Sequence, residues 1–66
     1  MMAIAKIKFV RDTFGNDKGD IVRVKKETEK EVYYYDSFGR WCYLLKSEEG
    51  AVYLYIPGRD PEKEQG

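Results

Sequence analysis

This 66-residue chain predicts an all-β fold, a small five-stranded barrel, and three observations carry that expectation. The apolar residues are β-branched or aromatic and recur with a period of two, the spacing of a half-buried strand. Gly19, Gly39 and Gly50 each stand at the head or foot of such a run, which is how turns punctuate a meander of short strands. No long window carries the 3.6-residue period of an amphipathic helix.

The elements follow in order. Residues 3–10 alternate apolar with charged over their second half and predict a strand with Ile7 and Phe9 inward. Residues 11–19 read as a loop, in which Asp12, Asn16, Asp17 and two glycines supply turn chemistry. Lys18-Gly19-Asp20 then delivers the chain into a second strand over 21–26. Residues 27–31 form a charged connection. Three further strands span 31–35, 40–46 and 51–56, joined by Asp36-Ser-Phe-Gly39 and Ser47-Glu-Glu-Gly50, both read as hairpin loops ending in glycine. Pro57 stops the last strand, so the barrel domain is expected over 1–57. Residues 58–66 are charged, lack an apolar anchor and read as a flexible tail.

Composition narrows the function classes. A chain this short buries only about 60% of the surface its unfolded form exposes, so it depends on tight packing, a staple or a partner. Cys42 stands alone and there is no histidine, which excludes an intrachain disulfide and a Cys/His zinc site. Twelve basic and twelve acidic residues cancel. The global positive charge that drives sequence-independent phosphate binding is missing, and nucleic acid is the less expected partner. No apolar run has the length of a signal peptide or a membrane span. A cytoplasmic protein with no membrane association is expected.

The strand-entering Lys18-Gly-Asp-Ile-Val-Arg-Val24, the aromatic Gly39-Arg-Trp41 and the closing segment from Gly50 to Pro57 resemble Src-homology-3-like barrels. In that family a Lys-Gly-Asp enters the second strand, a Gly-Arg-Trp-like segment opens the fourth, and a Gly-x-Val/Ile-Pro region closes the barrel. The likeness covers residues 18–57 and implies the SH3-like fold. The chain departs from the members that bind proline-rich peptides: Phe9-Val-Arg-Asp-Thr-Phe14 replaces their Ala-Leu-Tyr-Asp-Tyr-like strand, and Leu54-Tyr55-Ile56-Pro57 stands where a Pro-Ser-Asn-Tyr-like segment would be. The resemblance therefore does not extend to the peptide groove. Compact size, short loops and a charged tail are similar in style to small barrels encoded by bacteriophages and prophages.

Parity supplies the candidate site. If Val22, Val24, Cys42, Leu44, Val52, Leu54 and Ile56 face the core, then Trp41, Tyr43, Tyr53 and Tyr55 face outward. Val32 and Tyr34 inward would add Tyr33 and Tyr35, giving six aromatic rings on one outer surface. Such a surface suits a protein partner or a second copy of the chain, because Tyr and Trp bury large rigid areas at low entropic cost. The competing expectation is cross-strand stacking that stabilises the sheet and binds nothing. The rings could also stack on nucleic-acid bases, with Lys6, Lys8, Arg23, Lys25, Lys26 and Arg40 meeting phosphates. Against this, Glu27, Glu29, Glu31, Asp36, Glu48 and Glu49 lie in the adjoining segments and repel a phosphate backbone.

Enzyme chemistry is not expected. Without histidine the usual general base is missing, and Cys42 at an inward position behaves as a small hydrophobe. Asp12, Asn16, Asp17 and Asp20 lack the ligand spacing of a calcium loop. Glu48-Glu49 forms a turn tip, whereas paired catalytic carboxylates need separate walls of a cleft. No metal and no cofactor is expected, and the sequence reads as a non-enzymatic interaction module.

Overall fold

The computed structural model describes residues 4–58. It is built of strands: β1 (Lys6–Phe9), β2 (Ile21–Arg23), β3 (Lys26–Glu27), β4 (Glu31–Tyr35), β5 (Trp41–Leu45) and β6 (Tyr53–Ile56), with one 3₁₀ turn at Lys46–Glu48. They form two three-stranded antiparallel sheets, ordered β2-β1-β6 and β3-β4-β5. The expected tail lies, apart from Gly58, outside the described residues.

The single second strand expected over 21–26 is two strands, because successive amides serve different sheets. Val24 N–H donates to Ala5 O at 2.9 Å in the first sheet, and Lys25 N–H donates to Tyr33 O at 2.8 Å in the second. The chain bends between those two residues and so carries both sheets.

The 47–50 segment is not a hairpin. β6 leaves β5 and pairs with β1, Lys8 opposite Leu54 and Phe9 opposite Tyr53. The crossing starts where Leu45 N–H finds the Glu48 carboxylate at 2.9 Å, which closes the 3₁₀ turn. Gly50, at φ 93°, then reverses the chain in a conformation that suits glycine.

That crossing also corrects the parity of the last strand. Val52 sits in the turn and packs on the core, and Tyr53, the first residue of β6, faces the core as well. Two consecutive inward residues reset the alternation, so Tyr53 is 1% exposed while Leu54 and Ile56 are 45% and 39% exposed. Tyr53 and Tyr55 are tolerated inward because their hydroxyls reach acceptors at the rim. Tyr53 donates to Leu45 O at 3.1 Å, and Tyr55 donates to the Glu27 carboxylate at 2.7 Å.

The core between the sheets is Ile7, Phe9, Val32, Tyr34 and Tyr53, with Val22, Val24, Cys42, Leu44, Val52 and Tyr55 packed around it. Phe9 and Tyr34 meet edge to face, their centroids 5.6 Å apart, and tie the two sheets at the centre. Among the described residues no helix is long and apolar enough to cross a membrane.

Candidate interaction face

The outer face of the second sheet is an aromatic ladder. Alternation along β4 and β5 turns residues 33 and 35 to the same side as 41, 43 and 45. The register places Tyr33 opposite Tyr43 and Tyr35 opposite Trp41. Tyr33 and Trp41 are stacked diagonally, 5.5 Å apart and 15° from parallel. Tyr33 also meets Tyr43 at 5.7 Å, and Tyr35 meets Trp41 at 5.0 Å. Lys26 on β3 places its ammonium 5.5 Å from the Tyr33 ring. The contacts among the rings are real, yet they leave Tyr35, Trp41 and Tyr43 at 50%, 50% and 58% exposure, with Leu45 beside them.

Four of the six expected site residues therefore come together, and two do not. Tyr53 and Tyr55 belong to the other sheet and point inward. They line instead, with Glu27, Lys46 and Glu49, an open cleft of about 310 Å³ at the rim between the sheets. Its polar groups satisfy one another. Lys46 lies 2.9 Å from the Glu27 carboxylate, which also accepts the Tyr55 hydroxyl. The Lys46 ammonium, followed by the Tyr55 hydroxyl, draws the Glu27 carboxyl below its usual range. The Glu27 carboxylate and then burial push the Tyr55 phenol up to about 12. The result is a locked acid–phenol–ammonium cluster with no free nucleophile.

At one end of the ladder the β4–β5 hairpin is organised by Asp36, a feature that parity does not reveal. Its side chain is buried. One carboxylate oxygen accepts the Phe38 and Arg40 amides at 2.9 Å, and the other takes the Arg40 guanidinium at 2.9 and 2.8 Å and the Cys42 thiol at 3.6 Å. Burial raises the Asp36 carboxyl pKa, but the Arg40 amide and guanidinium and the Phe38 amide outweigh it and hold it low. The Arg40 guanidinium lies between two exposed rings, 4.8 Å from Phe14 and 5.0 Å from Phe38. Phe14 comes from the long loop, so this stack and the bonds from Ser37 to Gly15 O fasten loop to hairpin. The signal was available: Asp-x-x-Gly between strands is turn chemistry in which the aspartate caps its own amides.

Cys42 is not an activated thiol in this setting. Burial, then the Asp36 carboxylate, pushes its thiol up. Two carboxylates of the acidic loop are engaged by the loop itself. Asp12 accepts the Lys18 amide at 2.8 Å, and Asp20 accepts the Asp17 amide at 3.0 Å and the Asn16 side chain at 3.3 Å. Among the described residues no three His, Cys, Asp or Glu side chains converge as a metal site.

Of the six cations suggested as phosphate contacts, Lys26 sits against the Tyr33 ring and so shares the face of the ladder. Lys6, Lys8 and Arg23 stand on the outer side of the first sheet, interleaved with Ile21, Leu54 and Ile56, and Arg40 is committed to Asp36. No protein-family profile, curated protein or solved structure matches the chain.

Proposed function

We propose that this chain is a non-enzymatic protein-interaction module on an SH3-like five-stranded barrel, of the kind bacteriophages and prophages encode, and that it works in the cytoplasm. The partner docks on the outer face of the second sheet, with Trp41 as the central anchor, Tyr33, Tyr35 and Tyr43 around it, and the charged turns as a polar rim. One observation carries this reading. Three large rings and Leu45 remain about half exposed along one face although the rings already pack on one another or on Tyr33, so that packing alone does not account for them.

The two sheets fit the SH3-like reading through β2 and β3, which one bent segment supplies to both, and through the 3₁₀ turn that sends the last strand back to the first. The test compares Trp41→Ala with Leu54→Ala in binding to a partner recovered with the wild-type chain. Trp41→Ala is expected to weaken binding by about 2 kcal/mol or more with an unchanged circular dichroism spectrum. Leu54→Ala, on the other sheet, should leave binding unchanged. Equal affinities for wild type and Trp41→Ala would remove this face from the interface.

A further inference from the structure

We infer that the open edge of β5 pairs with the same edge of a second copy, antiparallel about a two-fold axis, with Trp41 of each chain opposite Tyr43 of the other. Lys46 N–H donates to Lys30 O at 2.8 Å and Asp36 N–H donates to Arg40 O at 3.0 Å, so even-numbered residues of β5 bond to β4. Alternation then turns the N–H and C=O of residues 41, 43 and 45 away from β4, to the edge. Leu45 confirms it: its N–H goes to Glu48 and its C=O to the Tyr53 hydroxyl. Trp41 and Tyr43 have no such caps among the described residues.

The other edges are guarded. Along β6, Gly50 N–H covers Tyr53 O at 2.7 Å and the Glu49 carboxylate covers Tyr55 N–H at 3.2 Å. β3 is two charged residues, Lys26 and Glu27, and β2 is three residues long and ends in Arg23. β5 alone presents five residues, Trp-Cys-Tyr-Leu-Leu, without a charge, proline or glycine to repel a strand.

The same groups select the register. A two-fold pairing centred on Tyr43 would oppose Trp41 and Leu45, whose N–H and C=O are taken. One centred on Trp41 would oppose Tyr43 and Gly39, whose N–H is spent on Asp36 O at 2.9 Å. Only the pairing centred on Cys42 sets the open groups of Trp41 and Tyr43 opposite each other twice; Gly39 and Leu45 meet beyond them and keep the partners they have, and with Arg40 opposite Leu44 and Lys46 opposite Phe38 no like charges meet. The outer rows then run Tyr33, Tyr43, Trp41, Tyr35 across both chains, joining two ladders into one. A second copy fits where an arbitrary strand does not, because the isologous arrangement closes and leaves no new edge at the seam.

This inference rests on the ladder being an interaction surface, but it uses the backbone edge, and the two can fail separately. Sedimentation equilibrium of the full chain should show a monomer–dimer equilibrium in the micromolar-to-millimolar range of a small interface. Strictly monomeric behaviour throughout that range overturns the proposal. A full-length synthetic chain with an N-methylated Tyr43 amide removes an edge donor and leaves every ring in place. It should keep the wild-type circular dichroism spectrum and lose the dimer, while still binding any foreign partner of the ladder. A dimer that survives N-methylation lies elsewhere and overturns the edge.

The native cysteine reports the register. In a non-hydrogen-bonded antiparallel pair the two Cys42 Cα atoms are about 4.5 Å apart, within disulfide range. Under diamide the two thiols give up two protons and two electrons to the azo reagent and form one S–S bond. Dimer-dependent cross-linking, abolished by Cys42→Ser, is expected. A dimer that fails to cross-link at alkaline pH, where the thiol ionises, has another register.

Discussion

At the scale of single residues, Tyr53 and Leu54 exchange the roles that uninterrupted alternation assigns them. Truncation separates the two cases. Tyr53→Ala removes a fully enclosed ring and its bond to Leu45 O and should cost about 3–5 kcal/mol in denaturant unfolding, whereas Leu54→Ala, on an exposed face, should cost less than about 1 kcal/mol. Gly15 is a second such residue, placed by close approach rather than by a left-handed backbone. A Cβ there would fall on the Asp36 carboxylate and come within 2.9 Å of the Asp36 Cβ and Cγ. Arg40 and two amides pin that side chain, so it cannot swing away. Gly15→Ala should cost about 1–3 kcal/mol by overpacking. Asp36 itself makes stability pH-dependent. Its carboxyl is held below the ordinary value of 3.8, so its contribution is complete above that pH and is lost as pH falls through the lower folded value. Below pH 4, unfolding of Asp36→Asn should therefore vary less with pH than that of wild type; equal slopes would assign the acid sensitivity to Glu27, which is also held low.

Among the elements, β4 and β5 were the most legible in the sequence and β6 the least. Glu-Val-Tyr-Tyr-Tyr and Trp-Cys-Tyr-Leu-Leu alternate cleanly and are joined by a tight hairpin, so local period and turn chemistry decide their faces, and Tyr33, Tyr35, Trp41 and Tyr43 fall where parity puts them. Ile7 and Phe9 on β1 were legible for the same reason. β6 begins after a 3₁₀ turn whose closing bond, Leu45 N–H to the Glu48 side chain, leaves no mark in apolar periodicity. Its pairing partner β1 lies more than forty residues away in sequence, beyond the reach of any local pattern. The bend at Val24–Lys25 is hidden likewise, since Ile21 to Lys26 reads as one run until two amides are seen to choose different sheets. The ladder on β4 and β5 invites a measurement at this scale. A double-mutant cycle on Tyr33 and Trp41 should return a coupling of about 0.5–1.5 kcal/mol in stability, the value of an offset aromatic pair. Coupling near zero would mean that the rings do not stabilise the sheet and stand available to a partner at no cost.

For the whole molecule, what matters is that the fold places three of the six candidate phosphate contacts on a different sheet from the ladder. Lys6, Lys8 and Arg23 lie outward on the first sheet among Ile21, Leu54 and Ile56, and the ladder lies outward on the second. A neutral chain that interleaves basic and aromatic residues in sequence thus separates these three cations from the ladder in space. A single strand stacked on Trp41 and Tyr33 would find Lys26 nearby, but the Arg40 charge is paired with Asp36 and Lys6, Lys8 and Arg23 are on the other sheet. Stacking on the ladder therefore comes with few phosphate contacts, and both are needed for tight single-strand binding. Fluorescence titration with an unstructured oligonucleotide should therefore show no binding at physiological salt. At low salt the three cations of the first sheet can act alone, giving weak binding with a log–log salt slope of roughly −2, at about −0.7 per phosphate contact. That weak binding should be indifferent to Trp41→Ala and abolished when Lys6 and Lys8 are replaced by Glu. Binding at physiological salt that disappears in Trp41→Ala would show that bases stack on the ladder, and would move nucleic acid ahead of protein as the partner of this face.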